Sequence, residues 1–259
     1  MTRWCFLLGG GDLEMTTIRA LVAATLGEEA IRDRGLTWGA RLSDYAEDLG
    51  VLPPETVPVL VELALDIEPP PGAVVIDHHN EDSGSDRPTS LEQVFALLGL
   101  PPSAWTRAFA LVAANDRGHV PALRALGASA EEIEAIRRAD RQAQGITPAE
   151  ERDGETATAR RRPALDGAVT LVDLPHARTA TVTDRLATLD PPPEAVLIRS
   201  PTEVNFFGPG PAVRALDAAL PGGWHGGDLP RAGFWGRGEP LPETEALLAI
   251  LADPLAKKG

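Results

Sequence analysis

The sequence predicts an α/β protein, with a mostly parallel sheet in its first half and a second, smaller α/β domain after it. Three observations predict this. Through the first 145 residues, short apolar runs alternate with segments of helical spacing, the pattern of a parallel sheet. Four apolar runs end on an aspartate: RWCFLLGGGD at Asp12, VPVLVELALD at Asp66, VVID at Asp77 and RAFALVAAND at Asp116. From Ile146 to Leu165 the composition turns charged and lacks a strong apolar stripe, which reads as a linker, with part of it open to being helical, before residues 166–259.

Taken in order, RWCFLL is a strand, and MTTIRALVAATLGEEAIRDRG is a helix ending at Gly35. LTWGARLSDYAEDLG fits either strand or helix. PETVPVLVELALD and GAVVID are strands on either side of the stiff Pro69-Pro70-Pro71 turn. TSLEQVFALLG opens on a Thr89 or Ser90 cap and stops at Gly99. Alanine-rich AWTRAFALVAAND is a helix, and Ser129 with two early glutamates caps the next one. In the second half, AVTLVDLP, EAVLIRS and TEVNFF are strands. TATVTDRLATL, AVRALDAAL and a segment from Glu243 to Ala252 are helices. Between the last two helices lies a glycine-rich loop, GGWHGGDLPRAGFWG.

Composition narrows the function classes. No apolar stretch in the 259 residues approaches the roughly 20 that a membrane helix needs. The N-terminal WCFLL reads as a strand and not a signal peptide. A single cysteine, Cys5, excludes an internal disulfide and fits a reducing cytoplasm. The net charge of −14 argues against a broad basic surface for long nucleic acid, though it leaves room for a local arginine-lined pocket.

An unpaired carboxylate at the end of a buried run is costly. Repeated carboxylates make sense where the run ends meet at the carboxyl edge of an open sheet, where ligands bind, and share a cation. Asp and His together suit manganese. Asp77-His78-His79 is the densest such signal among the five histidines. Successive residues of an extended chain point to opposite sides, so His78 and His79 do not both face one ion. Asp12, Glu14, Asp66 and Asp116 are candidate ligands, with Glu62 as a substitute for Asp66. His119 is a polar residue near the site, and His176 is a solvated loop residue. In the second half His225, Gly226 and Gly227 are candidates for phosphate contact, because glycines let backbone N–H groups approach closely. Arg199 and Arg231 join them, since arginine pairs bidentately with phosphate. Arg160-Arg161-Arg162 reads as a solvated run.

IDHH after the aspartate-ended strand, followed by PTSLEQVFALLG and AANDRG, resembles the DHH phosphoesterase family. That family includes RecJ-type exonucleases, oligoribonucleases, cyclic dinucleotide phosphodiesterases and manganese-dependent pyrophosphatases. The resemblance spans about residues 4–130 and, more weakly, 168–240. It implies a doubly wound sheet with a smaller C-terminal domain that closes over the active site. It also implies one or two manganese ions, or magnesium. By position, Asp66 would bridge metals, His78 would ligate with Asp77 orienting it, His79 would bind phosphate and Asp116 would be the last carboxylate ligand. The family's first motif has a histidine followed by D-x-D. Here Leu8 stands at the histidine position, and Asp12 and Glu14 have the acidic spacing. Either Glu14 replaces the second aspartate and one metal site lacks its histidine, or Asp12 is that second aspartate and the site is essentially gone.

The implied activity is hydrolysis of a small phosphorylated substrate or short oligonucleotide by metal-activated water. Trp224, Phe234 and Trp235 are the few aromatics near the glycine loop for base stacking. A manganese-type pyrophosphatase and a catalytically lapsed nucleotide-binding sensor are the alternatives.

Overall fold

The computed structural model describes residues 2–37, 39–78 and 88–256, so His79 lies outside the described residues. The chain divides into two compact units, Met1–Gly145 and Ile146–Gly259.

In the first unit, β1 (Arg3–Leu8), β2 (Ile31–Arg32), β3 (Thr56–Val61) and β4 (Val74–Ile76) form a parallel sheet of order β2-β1-β3-β4. The strand residues alternate between two apolar layers. Phe6, Leu8, Val59 and Val61 pack with Met15, Ile18 and Val22 of α1 (Leu13–Leu26) and with Leu91 and Val94 of α3 (Ser90–Leu97). Cys5, Leu7 and Leu60 face the other way, onto Leu42, Tyr45 and Leu63. Both faces are therefore covered, which is why these strands read as continuous apolar runs. The ambiguous segment after Gly35 resolves as a 3-10 turn at Leu42–Tyr45 leading into α2 (Ala46–Gly50). The first helix ends at Leu26 rather than running to Gly35. Gly27 takes φ +95° beyond it, and EEAIRDR supplies the short strand β2. A two-residue strand is too short for its periodicity to show. AWTRAFALVAAND is helical and continues to Ala125 as α4 (Arg107–Ala125), broken at Gly118 and His119. The Ser129–Glu132 capping box opens α5 (Ala130–Ala143).

The second unit is a six-stranded mixed sheet of order β5-β6-β7-β8-β10-β9. Its strands are β5 (Arg162–Ala164), β6 (Val169–Asp173), β7 (Val196–Arg199), β8 (Glu203–Pro209), β9 (Trp224–Asp228) and β10 (Ala232–Gly238). The helices α6 (Pro148–Ala159), α7 (Ala180–Ala187), α8 (Gly210–Ala219) and α9 (Thr244–Ala252) accompany them.

Two expectations need correction here. The segment from Ile146 to Leu165 is not a linker but α6 and β5 of the second unit. Thr147 and Glu150 form a capping box with Pro148 in the first turn, so the local start signals are strong. The apolar stripe is missing because α6 buries small residues, chiefly Gly154 and Ala157. A Cβ on Gly154 would lie 2.3 Å from the Thr181 Cβ of α7. The second correction concerns GGWHGGDLPRAGFWG, which is the β9–β10 hairpin rather than a loop. Glycine weakens strand propensity, so the sequence hides the pairing. Packing requires glycine at several of these positions: a Cβ on Gly227 would meet Gly233 Cα at 2.7 Å, and one on Gly233 would meet the Gly226 carbonyl oxygen at 2.3 Å.

Candidate metal centre

Strand register sets the site. Leu8 pairs with Val61, and Val61 with Ile76, so the residues just past these strands emerge side by side at the carboxyl edge of the sheet. They are Gly9, Glu62 and Asp77-His78. At this edge the imidazole of His78 meets carboxylates from three other segments. Its Nε2 lies 2.5 Å from Asp116 Oδ2, 3.6 Å from Glu62 Oε1 and 3.7 Å from Glu14 Oε2. One ligand atom each from Glu14, His78 and Asp116 falls within a 4.8 Å span, as a shared ion requires.

Each acid is placed by a specific local device. Glu14 sits in the first turn of α1 and is buried, with 2 % relative exposure. The Leu91 N–H at the start of α3 donates to Glu14 Oε1 at 2.9 Å, an interaction that the helix N-terminus favours. Its other oxygen, Oε2, is buried and accepts no hydrogen bond among the described residues. Glu62 follows the last residue of β3 with φ +52°. A left-handed backbone costs a residue other than glycine roughly 1–2 kcal/mol, and such strain gathers at functional sites. Asp116 lies in α4, just before that helix loses its regular geometry. The His119 φ of +50° and the break at Gly118 end the regular turns there. Asp77 follows β4, and its carbonyl accepts from Gln93 Nε2 at 3.3 Å.

The electrostatics are those of crowded acids. Burial, together with the Asp116 and Glu62 charges, pushes Glu14 up to about 10. Asp12 is the N-cap of α1, accepting from Met15 N at 2.8 Å. Burial raises its pKa to about 7 against that hydrogen bond, with the Glu62 and Asp116 charges adding. Asp12 therefore stands beside the cluster and feels its field while serving as a cap. A cation would relieve this repulsion, and the donor set of carboxylate oxygens with one imidazole fits manganese or magnesium.

Asp66 does not join the cluster. It is exposed, and both its oxygens accept from Ser43, from the backbone N–H at 3.0 Å and the hydroxyl at 2.6 Å. These hydrogen bonds hold its pKa below the usual carboxylate range. The acid that this segment brings to His78 is Glu62, four residues earlier. The readable signal is strand length: an apolar run ending at Val61 places the next residue at the edge, and Asp66 lies beyond it. Leu8, at the position the resemblance gives to a histidine, is fully buried, and its carbonyl accepts from the Tyr45 hydroxyl at 2.6 Å.

Gly9 fixes the approach of β1 to Glu62. A Cβ there would lie 2.4 Å from the Glu62 carbonyl oxygen. Gly9→Ala is expected to displace Glu62, lowering both thermal stability, by the roughly 1–3 kcal/mol of an overpacked site, and Mn2+ affinity. Calorimetric titration and a melting curve check this; an unchanged titration would separate Gly9 from the centre.

The second unit's candidates have their own local partners. His225 Nδ1 lies 3.1 Å from Asp217 Oδ1. Arg199 donates to the Pro242 carbonyl at 2.7 Å and Thr244 Oγ1 at 3.0 Å, tying down the start of α9. Arg231 is exposed. His176 is half-buried rather than simply solvated, and it is bound to the Glu150 carbonyl and the Arg178 N–H.

No protein-family model and no curated protein matches the sequence. Solved structures do. RecJ in complex with Mn2+ from Thermus thermophilus is similar at 16% identity and a TM-score of 0.52, over 98% of this chain and 52% of that one. An exonuclease RecJ bound to manganese is similar at 15% identity and a TM-score of 0.46, over 98% of this chain and 91% of that one. An exopolyphosphatase-related protein from Bacteroides fragilis aligns at 12% identity with a TM-score of 0.38, covering 84% of this chain and 68% of that one. The likeness to the Thermus chain, of which this chain spans about half, shows the fold. A parallel α/β sheet domain followed by a second, smaller α/β domain is the fold shared with that RecJ chain, and α/β is the class the sequence predicted. Among the described residues, no helix is long and apolar enough to cross a membrane.

Proposed function

We propose that this protein is a divalent-metal-dependent phosphohydrolase acting on a phosphodiester of a short oligonucleotide or small nucleotide. The supporting observation is the convergence of Glu14, Glu62 and Asp116 on His78 Nε2 at the carboxyl edge of a parallel sheet. Mn2+ or Mg2+ bound there would acidify a water and polarise a phosphoryl oxygen. Glu14, Glu62, His78 and Asp116 would hold it, and Asp12, the N-cap of α1, would join them as the resemblance implies. The α3 N-terminus orients Glu14, and the strained turn after β3 aims Glu62 inward. Asp77 and His79 keep the roles that the resemblance implies, orientation of His78 and contact with phosphate. The net charge of −14 favours a small substrate over a long polyanion.

The deciding experiment is titration of the metal-free protein with Mn2+, followed by assays on a dinucleotide, a generic diester and pyrophosphate. Diester turnover that requires Mn2+ is expected. Turnover of pyrophosphate alone would make it a pyrophosphatase. Leu8 supports one further reading, a lapsed sensor, because it supplies no ligand where the family has a histidine. Nucleotide binding without product would establish that reading.

A further inference from the structure

A buried polar chain ties α5 to the segments that carry Asp116 and Glu14. Arg137 of α5 donates from Nη1 to Asn115 Oδ1 at 2.7 Å and to Asp140 Oδ2 at 2.8 Å. Asp140 Oδ1 accepts from the Leu13 backbone N–H at 3.2 Å, and Gln144 Nε2 donates to Oδ2 at 3.1 Å. Asn115, Arg137 and Asp140 are each 4 % exposed. The two ends of the chain matter most. Asn115 immediately precedes Asp116, and the Leu13 amide lies between Asp12 and Glu14.

Replacing a buried ion pair with apolar residues of similar volume is often neutral or stabilising, so stability alone does not account for this one. Position does. Asp116 stands two residues before the break in α4, at the end of that helix's first regular stretch. Asp12 and Glu14 stand at the start of α1, where the backbone donors need outside acceptors. One rigid guanidinium–carboxylate pair on α5 anchors both segments.

We infer that Asn115–Arg137–Asp140 is a positioning device for the metal centre, setting the separation between the Asp116 arm and the Asp12–Glu14 arm; this rests on the metal reading above. These residues would act as the outer partners of metal ligands do, where removal typically weakens metal affinity about 10- to 100-fold.

The test combines Arg137→Met with Asp140→Leu, which removes the pair without stranding a charge. Melting curves, Mn2+ affinity by calorimetry and the EPR spectrum of bound Mn2+ are recorded beside wild type. The control is Leu42→Ala, a core truncation on the opposite face of the sheet. The double variant is expected to melt at or near the wild-type temperature, to bind Mn2+ about 10- to 100-fold more weakly and to show an altered EPR spectrum. Leu42→Ala is expected to lose stability but keep its Mn2+ affinity. A folded double variant with wild-type affinity and spectrum overturns the inference, as does an equal affinity loss in Leu42→Ala. Should the double variant not fold, Asn115→Leu, which leaves the ion pair intact, decides by the same two readouts. Wild type that binds no Mn2+ overturns the metal reading itself, a result distinct from a failure of the variants.

Discussion

His78→Ala and Asp116→Ala are each expected to abolish Mn2+ binding and reduce diester hydrolysis on the order of a thousand-fold or more, with the fold retained. Both side chains meet at 2.5 Å at the centre of the acid cluster. Losing a ligand withdraws several kcal/mol of charge stabilisation, and each tenfold in rate is about 1.36 kcal/mol. Glu62→Gln should behave like them to a lesser degree, because an amide keeps one neutral oxygen ligand. Asp66→Asn should leave binding and rate within about twofold of wild type, because that residue is exposed and occupied by Ser43. Calorimetry and steady-state rates on one dinucleotide across the four variants suffice. An Asp66→Asn loss equal to that of Glu62→Gln would return the bridging role to Asp66 and show that Glu62 is strained for another reason.

The contrast between Glu62 and Asp66 also marks how far the sequence could be read. Fold class was legible because both faces of the sheet are buried, so strands appear as apolar runs and helices as amphipathic stretches between them. His78 and Asp116 were legible because their residue types are rare or costly at the ends of such runs. Glu62 is harder to see, since VPVLVELALD shows an acid at both 62 and 66 and only the register of Val61 with Leu8 and Ile76 tells which one reaches the edge. Asn115, Arg137 and Asp140 left no signal at all. On a helix such as α5, Arg and Asp look like a solvated face until a partner helix covers them. The β9–β10 hairpin was hidden for the opposite reason: glycines required by close packing erase the strand pattern that announces a pairing.

The stability of the metal-free protein is expected to depend strongly on pH. Burial and neighbouring charge raise Glu14 to about 10 and Asp12 to about 7, both far above ordinary carboxylates. For a raised carboxylate the folded state holds its proton where the unfolded chain has lost it. Stability is therefore greatest at low pH and falls as pH rises through the window between the ordinary and the raised value. Both groups contribute from about pH 4 to 7, and Glu14 alone above that, each with a slope of at most about 1.4 kcal/mol per pH unit. Asp66, Glu131, Glu132 and Glu150 have lowered pKa values, so their titration falls below this window and does not mask it. The melting temperature without metal is expected to fall between pH 5 and pH 8. Mn2+ should restore it, and more strongly at pH 8, because binding requires the deprotonated ligands and competes with protons at pH 5. Glu14→Gln keeps a comparable volume but cannot ionise, so it should flatten the pH dependence and lose most of the stabilisation by Mn2+. Melting curves at four pH values, with and without Mn2+, for wild type and Glu14→Gln make the comparison. A metal-free protein whose melting temperature is flat or rising from pH 5 to 8 would show that these acids are not forced together in the fold and need no shared cation.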